Sequence, residues 1–546
     1  MSSPPADLVV HNARVYTVDT ARPTATAFAV RDGRFQSVGA EEAVLAKHPD
    51  ALRIDAKGNT VVPGFIDAHA HLLELGLSLT RADLTDTASP GAVVERLHEF
   101  KARRDLPKGA WLRGHGWDET DWSPPHPPSR ERLDAAFPDR PVWLTRTDVH
   151  AGWANTAALA ETVGLDRLRE MSDPNGGHIQ RDETGTPTGI LIDKAMALVT
   201  DQIPPPSDAR QDRALSAALD HTARHGITGL HDAGVPLSQI RRFERYIEAE
   251  DKTFPLRVYA MIDGQGDTFD HFCEHGPLYH DSGRLDVASV KFFADGALGS
   301  RGAALLNDYA DDPGNRGLLL HSEEQFREHV ESAVACGFQV NTHAIGDRAN
   351  RFVLDAYEAT METGSAPMRR PRIEHAQILH PEDAPRFGQL DIIASVQPLF
   401  ATSDMGWVAD RLGPDRLGGA YAWKSLQDAG AHLAFGSDAP VEPIDPLKGI
   451  HAAVTRQDAH GHPRGGWRPG ERQSRESALR AYTQGAARAA FQENEIGSIT
   501  PGKRADWAVL SRNIMACAPG EMLDTKVLAT YLDGAPIHTA PSWPDP

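Results

Sequence analysis

The segment Val61-Val-Pro-Gly-Phe-Ile-Asp-Ala-His-Ala-His71 decides how the rest of the chain is interpreted. Its apolar, β-forming residues, interrupted by Pro63-Gly64, predict a short buried strand. Two histidines stand two positions apart at the end of that strand. Because alternate residues of an extended chain point to the same side, His69 and His71 can present two imidazoles to one metal ion. In a chain with 25 histidines, one such pair is weak evidence for a metal site. The interpretation therefore depends on the metal-ligand candidates found later in the sequence.

Length and charge limit the classes of function. A chain of 546 residues can bury a large core and can form two or three domains. The formal net charge of −20 argues against nucleic acid and anionic membrane surfaces as partners, since both require a basic face. No run approaches the roughly 20 apolar residues that span a bilayer. The sequence leaves open whether the chain is a monomer or a homo-oligomer.

Cysteine usage and the N-terminal residues predict a cytoplasmic location. Cys273, Cys336 and Cys517 are widely spaced and form no CxxC pair, so we expect no disulfide framework and a reducing compartment. The segment Met1-Ser-Ser-Pro-Pro-Ala-Asp7 has neither the basic region nor the apolar region of a signal peptide.

Strand-like and helical segments alternate through the middle of the chain, which predicts a parallel sheet in an α/β fold. Eight strand-like runs suggest a closed (β/α)8 TIM barrel, whose functional site lies at the C-terminal ends of the strands. The eight runs are Val61–Asp67, Gly226–His231, Leu256–Ile262, Val287–Ala294, Gln339–His343, Arg372–His375, Ile392–Val396 and Leu433–Ser437.

Both chain ends are rich in short β-like runs, and Asp32-Gly33 marks a tight hairpin turn. We expect residues 1–62 and 491–546 to pair into one small β-sandwich beside a barrel of residues 63–490. The long gap after the first run predicts an insertion of about residues 80–205 over the barrel mouth. Its aromatic residues suit either a substrate wall or the core of the insertion itself.

Lys291 lies among apolar residues in the fourth run, where an unpaired ammonium group is costly to bury. One explanation is a partner carboxylate, Asp295 or Asp286. The other is carboxylation of Lys291 by carbon dioxide, which gives a carbamate that can bridge two metal ions.

Three more metal-ligand types end later runs: His343 in the fifth, His375 in the sixth and Asp438 after the eighth. For each one alone, a structural role is the simpler explanation. Glu374 is expected to face away from His375 and therefore to be a poorer ligand. Asp438 can bind a metal ion, hold a water molecule and carry its proton.

In this order, His69-x-His71, Lys291, His343, His375 and Asp438 resemble the amidohydrolase superfamily. The chain is most similar to its family 3, which includes N-substituted formamide deformylase-like enzymes. That resemblance rests on the opening segment and four further motifs: Gly116–Asp118, Phe292–Arg301, Thr342–Asp347 and Gly497–Asp506. It implies a metal-dependent barrel with a split β-sandwich, Zn²⁺ as the metal (one ion or two, other divalent metals remaining open) and a carboxylated Lys291.

A second group of residues is proposed to contact the substrate, with a structured-loop or core role as the alternative for each. The group comprises Trp117, Asp118, His150, His231, Asp295 and Arg301, together with Asp148 and Asp232, the neighbours of two of its members.

The predicted function is hydrolysis of a C–N bond in an amide or N-formyl/N-acyl amine, a small-molecule substrate. The predicted nucleophile is a metal-activated hydroxide, with Asp438 as proton shuttle. A ring deaminase is a first alternative, although no glutamate follows His343 in His343-Ala-Ile-Gly-Asp347. An ester or lactone hydrolase is a second. A non-catalytic scaffold on the same barrel is the alternative from another class.

Overall fold

The computed structural model describes residues 8–103, 106, 109–119, 122, 128–146, 151–174, 177–249, 253–363 and 366–543. The chain forms two compact units, one of Met1–Glu74 with Ala218–Pro546 and one of Leu75–Ala217. The boundaries expected for the sandwich and the barrel stay a prediction, because both domains fall within the first of these two units.

The first unit contains the predicted barrel. Its eight strands are parallel and pair in chain order, which confirms the expected α/β barrel. After the eighth strand, the backbone N–H of Asp438 donates to the carbonyl of His69 at 2.7 Å, so the two ends of the sheet meet there. The strands are Phe65–Ala70, Ile227–Val235, Arg257–Asp263, Leu285–Phe293, Gln339–Ala344, Arg372–His375, Ile393–Val396 and His432–Phe435.

Helices follow the barrel strands, as the alternation of the sequence predicts. They are Leu237–Glu248, Asp267–His275, Glu323–Ala335, Asp347–Thr363, Ala384–Gln389, Phe400–Ser403, Val408–Leu412, Trp423–Asp428, Pro446–Thr455, Arg475–Arg480 and Ala486–Ala489. A short strand, Leu278–Tyr279, adds to the fourth barrel strand in antiparallel orientation.

The two chain ends form one β-sandwich, as predicted. One sheet has the order Arg34–Gly39, Ala27–Arg31, Leu8–His11, Leu52–Asp55, with helix Glu41–Lys47 packed beside it. The other has the order Ala535–Thr539, Val527–Leu532, Trp507–Leu510, Thr60–Pro63, Arg14–Tyr16, Thr24–Ala25. Residues from both ends share one core, in which the rings of Trp507 and Tyr531 stack with centroids 4.2 Å apart.

The opening segment belongs to two sheets, which corrects the predicted first strand. Val61 and Val62 pair with Val509 and Ala508 in the sandwich, and the barrel strand starts only at Phe65. Gly64 lies at the transition between the two sheets. A Cβ at this position would lie only 2.2 Å from Oγ1 of Thr228, so a larger residue would clash there. The chain can therefore leave one sheet and enter the next within two residues.

The second unit has its own sheet, with the order Gly177–Arg181, Pro187–Asp193, Ala151–Ala154, Val142–Arg146, Leu112–Trp117, Ala82–Asp83. Its helices are Pro90–Arg103, Arg130–Ala136, Thr156–Glu161, Leu165–Glu170 and Ala197–Thr200. Helices Leu72–Leu79 and Asp208–Arg224 contain the two points where the chain passes between the units. The insertion is thus a folded unit, and its predicted place over the barrel mouth stays a prediction.

A disulfide joins Cys273 and Cys336, whose Cα atoms are 5.1 Å apart. The expectation of no disulfide framework was therefore wrong for this pair. The two residues are 63 positions apart and become neighbours only when helices Asp267–His275 and Glu323–Ala335 pack on the barrel. The cytoplasmic location stays a prediction. Within the described ranges, no helix combines the length and apolarity that a bilayer-spanning segment requires.

Candidate metal centre

His69 and His71 both direct their Nε2 atoms to a common point at the end of the first barrel strand. Nδ1 of His69 lies 2.5 Å from Oε2 of Glu374, and Nδ1 of His71 lies 2.9 Å from the carbonyl oxygen of Ala233. Because both partners are acceptors, each Nδ1 donates its hydrogen, which leaves Nε2 as the nitrogen that faces the cluster. That is the arrangement a metal ion requires. Burial lowers the pKa of His71, but its hydrogen bond to Asp438 raises it by more, so a metal ion would replace a proton on this Nε2.

Asp438 completes a three-residue cluster with these histidines. Its Oδ1 lies 3.1 Å from Nε2 of His71 and 3.5 Å from Nε2 of His69. The ligand atoms of the three residues all lie within 4.8 Å of one another. Two nitrogens and one carboxylate oxygen at this separation match the donor types that zinc prefers.

Asp67, which the sequence analysis did not single out, holds the first strand against the segment after the eighth. Its Oδ1 accepts from the backbone N–H groups of His69 and Ser437, each at 3.0 Å, and its Oδ2 accepts from Oγ of Ser437 at 2.6 Å. Burial raises the pKa of Asp67 to about 7. This carboxyl group therefore positions His69 and Asp438 together.

Lys291 points into the same space, with Nζ 3.1 Å from Nε2 of His69. Burial lowers its pKa to about 8, although Glu374 and Asp438 oppose the shift. In the described residues, neither of the carboxylates considered as a partner binds it. Asp295 accepts backbone N–H groups from residues 304, 345 and 346, and Asp286 accepts from Gln492. The structure therefore does not support pairing of the Lys291 ammonium group with Asp295 or Asp286.

His343 and His375 close the group from the fifth and sixth strands. Their ring centroids are 4.6 Å apart, and that of His375 is 4.9 Å from His69. Nδ1 of His375 lies 2.8 Å from Oε1 of Gln397, while the buried Nε2 of His343 has no hydrogen-bond partner among the described residues. Burial, with the charge of Lys291, lowers the pKa of His343 to about 3, so its imidazole is neutral. The donor set therefore fits a divalent metal ion.

The six proposed ligands line one cavity of about 410 Å³. Its remaining wall is mainly apolar and includes Phe293, Leu298, Phe400, Trp407 and Val441. Two polar side chains also line it, Gln377 and Asp404. Nε2 of Gln377 donates to Oδ2 of Asp404 at 2.9 Å. The cavity can thus hold an apolar group next to the metal-ligand cluster.

The position of Glu374 differs from the position predicted from the sequence. This side chain was expected to face away from His375, but it is fully buried inside the barrel and contacts both His69 and Arg372. The alternation argument failed because His375 has a φ of +75°, which ends the regular pleat at that residue. Glu374 orients His69.

The proposed substrate contacts outside the insertion do not line the cavity, although Oδ1 of Asp295 lies 3.5 Å from Nε2 of His343. His231 is buried in the barrel interior and bonds Arg372 at 2.9 Å, beside Asp232, which accepts from the backbone N–H of Leu72. Asp295 binds backbone amides, and Arg301 pairs with Asp311 at 2.8 Å. None of these four lines the cavity.

Of the substrate contacts proposed in the insertion, two lie within the described residues and two lie outside them. Trp117 is buried in that unit's core beside Trp122 and Trp153, and its Nε1 donates to the carbonyl oxygen of residue 144. Asp118 pairs with Arg146 at 2.8 Å. These contacts favour the core explanation for the insertion's aromatic residues. Asp148 and His150 lie outside the described residues.

An eight-stranded parallel barrel with converging histidines and a carboxylate at its C-terminal strand ends is typical of a metal-dependent barrel hydrolase. Residues 53–538 match the family model described as "Amidohydrolase family", and the chain belongs to this family. The resemblance stated from the sequence motifs is therefore confirmed.

Related proteins match over almost the whole chain. The protein YtcJ of Bacillus subtilis (strain 168) is 34% identical over 97% of this chain and 98% of its own length. An N-substituted formamide deformylase of Arthrobacter pascens is 32% identical, with 97% of each chain covered. Among solved structures, an uncharacterized metal-dependent hydrolase from Pyrococcus horikoshii OT3 superposes with a TM-score of 0.76, at 28% identity over 94% of this chain and 99% of its own.

Proposed function

We propose that the chain is a zinc-dependent amidase that cleaves the C–N bond of an N-formyl or N-acyl amine. The observation that carries this proposal is the convergence of three neutral imidazoles and the carboxylate of Asp438 beside an apolar cavity. The relative named N-substituted formamide deformylase supports the choice of bond.

In this proposal His69, His71 and Asp438 would hold one metal ion, and His343 and His375 would hold the same ion or a second one. Lys291 would be a further ligand once its neutral amine had added carbon dioxide, a reaction that forms an N–C bond and releases one proton. Burial of the ammonium group favours that neutral amine. A bound divalent metal ion supplies a Lewis acid that polarises a carbonyl group and lowers the pKa of water to roughly 7.

The remaining roles belong to the chain's own side chains. Asp438 is 8% exposed and lies beside His71, so its carboxylate can take a proton from the attacking water and give it to the leaving amine. Phe400 and Trp407 hold the apolar substituent of the substrate and exclude water. Gln377 and Asp404 offer hydrogen bonds that can orient the amide.

A substrate panel tests the proposal directly. Zinc-loaded protein is incubated with N-formyl amines, N-acyl amines, esters, lactones and ring amines, and release of amine, acid or ammonia is measured. Asp438→Asn serves as the inactive reference and Asp428→Asn, an exposed acid, as the matched control. We expect amine release by the wild type and the control. Full activity after metal depletion would reject the mechanism, and ammonia release from ring amines would favour a deaminase.

A further inference from the structure

Three arginines of the insertion form a cationic group, and among the described residues none of them makes an ion pair with a carboxylate. Arg81 and Arg113 directly precede a pair of parallel strand residues, Ala82 and Gly114, that are in register. The two side chains are therefore neighbours across the sheet. Their Nε atoms are buried, and within the part of the chain that the structure describes neither has a hydrogen-bond partner.

Arg210 adds a third positive charge from the first turn of helix Asp208–Arg224. This helix touches helix Leu72–Leu79 so closely that a Cβ at Gly76 would lie 2.1 Å from the carbonyl oxygen of Ala214, one turn beyond Arg210. The positive end of the helix macrodipole lies at the same turn and strengthens the positive potential.

The electrostatic effects agree with this placement. Burial and the charges of Arg81 and Arg210 lower the pKa of Arg113 to about 10. Burial and the charge of Arg210 also lower the pKa of Arg81. Among the described residues, no carboxylate contributes to either pKa shift. Half-buried guanidinium groups that only repel one another destabilise the unit unless an anion lies between them.

Space for a ligand exists beside Arg81, which lines a cavity of about 380 Å³ together with Arg96 and Arg103. Asp83 is the acidic residue of this lining, and its Oδ1 accepts hydrogen bonds from the backbone and the hydroxyl of Thr85. Positive charge therefore outweighs negative charge around the cavity.

We propose that Arg81, Arg113 and Arg210 form a binding site for a small oxyanion of the phosphate class. Guanidinium groups bind phosphoryl oxygens through pairs of parallel hydrogen bonds, and the group supplies three such donors. A dianion balances this charge better than a monocarboxylate does. The proposal is independent of the metal centre and of the amidase reaction.

Thermal unfolding of the zinc-loaded protein in inorganic phosphate, glycerol 3-phosphate, acetate or chloride at equal ionic strength tests the site. We expect phosphate to raise the melting temperature of the wild type by about 3 °C or more over chloride. A larger rise with glycerol 3-phosphate would identify a phosphomonoester as the ligand, and equal rises would identify the free ion. Acetate matching phosphate would overturn the phosphate class.

Two charge-removing variants and two controls make the result specific. Arg113→Gln and Arg210→Gln are expected to weaken phosphate binding about tenfold or more in calorimetry. Arg132→Gln, which removes an exposed charge in the same unit, should bind as the wild type does. Asp438→Asn should also keep binding, which separates this site from phosphate held at the metal centre. Wild-type binding in both Arg113→Gln and Arg210→Gln, or loss of binding in Asp438→Asn alone, would overturn the proposal.

Discussion

Nζ of Lys291 lies 3.1 Å from Nε2 of His69, a residue 222 positions earlier in the chain. The fourth barrel strand carries Lys291 and the first carries His69, so the contact crosses the barrel interior. Glu374 on the sixth strand holds the same imidazole at Nδ1. Three strands therefore fix one ring, and the geometry of the cluster depends on the closure of the barrel.

Lys291→Met removes the amine and keeps the length of the side chain. We expect metal content to fall and kcat/KM to drop by about 100-fold or more, because a proposed ligand is lost. Elemental analysis and the amine-release assay measure both effects. Lys424→Met, which removes a partly exposed lysine that pairs with Asp428 outside the cavity, is the control.

The same variant tests carboxylation. Wild-type protein equilibrated with ¹³C-labelled bicarbonate is expected to show a carbamate carbon signal in NMR spectra, and Lys291→Met should lack it. A signal that persists in Lys291→Met would assign the carbamate to another lysine. Full metal content together with wild-type activity in this variant would contradict a ligand role for Lys291.

Glu374→Gln tests the orientation of His69. The carboxylate accepts the Nδ1 hydrogen at 2.5 Å, and a neutral amide is a weaker acceptor. We expect the metal affinity to fall about 10–100-fold, measured by competition with a chelator. Arg372 keeps hydrogen bonds to the carbonyl oxygen of Ala68 and to Ser395, so the variant should fold. Unchanged affinity, equal to that of the exposed control Glu382→Gln, would contradict this role.

The sequence alone identified the barrel because each strand is a local apolar run, and its polar end residue is adjacent in the chain. It identified the six converging side chains for the same reason. Asp67 stood in the opening segment, yet its partner Ser437 is 370 positions away, so no local pattern showed its role. Glu374 was misplaced because the alternation of a strand holds only while the backbone stays extended, and at His375 it does not.

Trp407→Ala tests the apolar wall of the cavity. Trp407 lines the cavity, and its ring packs against the guanidinium of Arg411, 5.7 Å from the ring centroid. It contacts none of the proposed metal ligands by hydrogen bond or ring packing among the described residues. We therefore expect KM to rise about tenfold with kcat nearly unchanged, as loss of uniform binding requires. Steady-state kinetics on the best substrate of the panel measure this, and a fall in kcat at constant KM would contradict it.

Arg257→Met tests the link between the barrel and the sandwich. Arg257 on the third barrel strand pairs with Asp506 at 2.9 Å, and the side chains are 5% and 4% exposed. It also reaches Asp533 at 2.5 Å. Removing the guanidinium leaves the buried carboxylate of Asp506 without an ion-pair partner among the described residues, whereas Asp533 keeps Arg284 and Arg504. We therefore expect the free energy of unfolding at pH 7 to fall by about 3–5 kcal/mol. Arg316→Met, which breaks an exposed pair with Asp308, should cost less than about 1 kcal/mol.

The pH dependence of that loss separates the ion pair from simple packing. Burial raises the pKa of Asp533, but the guanidinium groups of Arg257, Arg284 and Arg504 lower it by more, so the pKa of this carboxyl group is below its ordinary value. A carboxyl group with a lowered folded-state pKa stabilises the protein above its unfolded pKa, near 3.9, and loses that contribution as the pH falls through the folded value. In Arg257→Met the main cause of the lowering is gone. The difference between the wild type and Arg257→Met in urea unfolding should therefore be largest near pH 7 and shrink below about pH 4. A difference that stays constant with pH would mean that lost packing of the arginine stem, rather than its charge, accounts for the destabilisation.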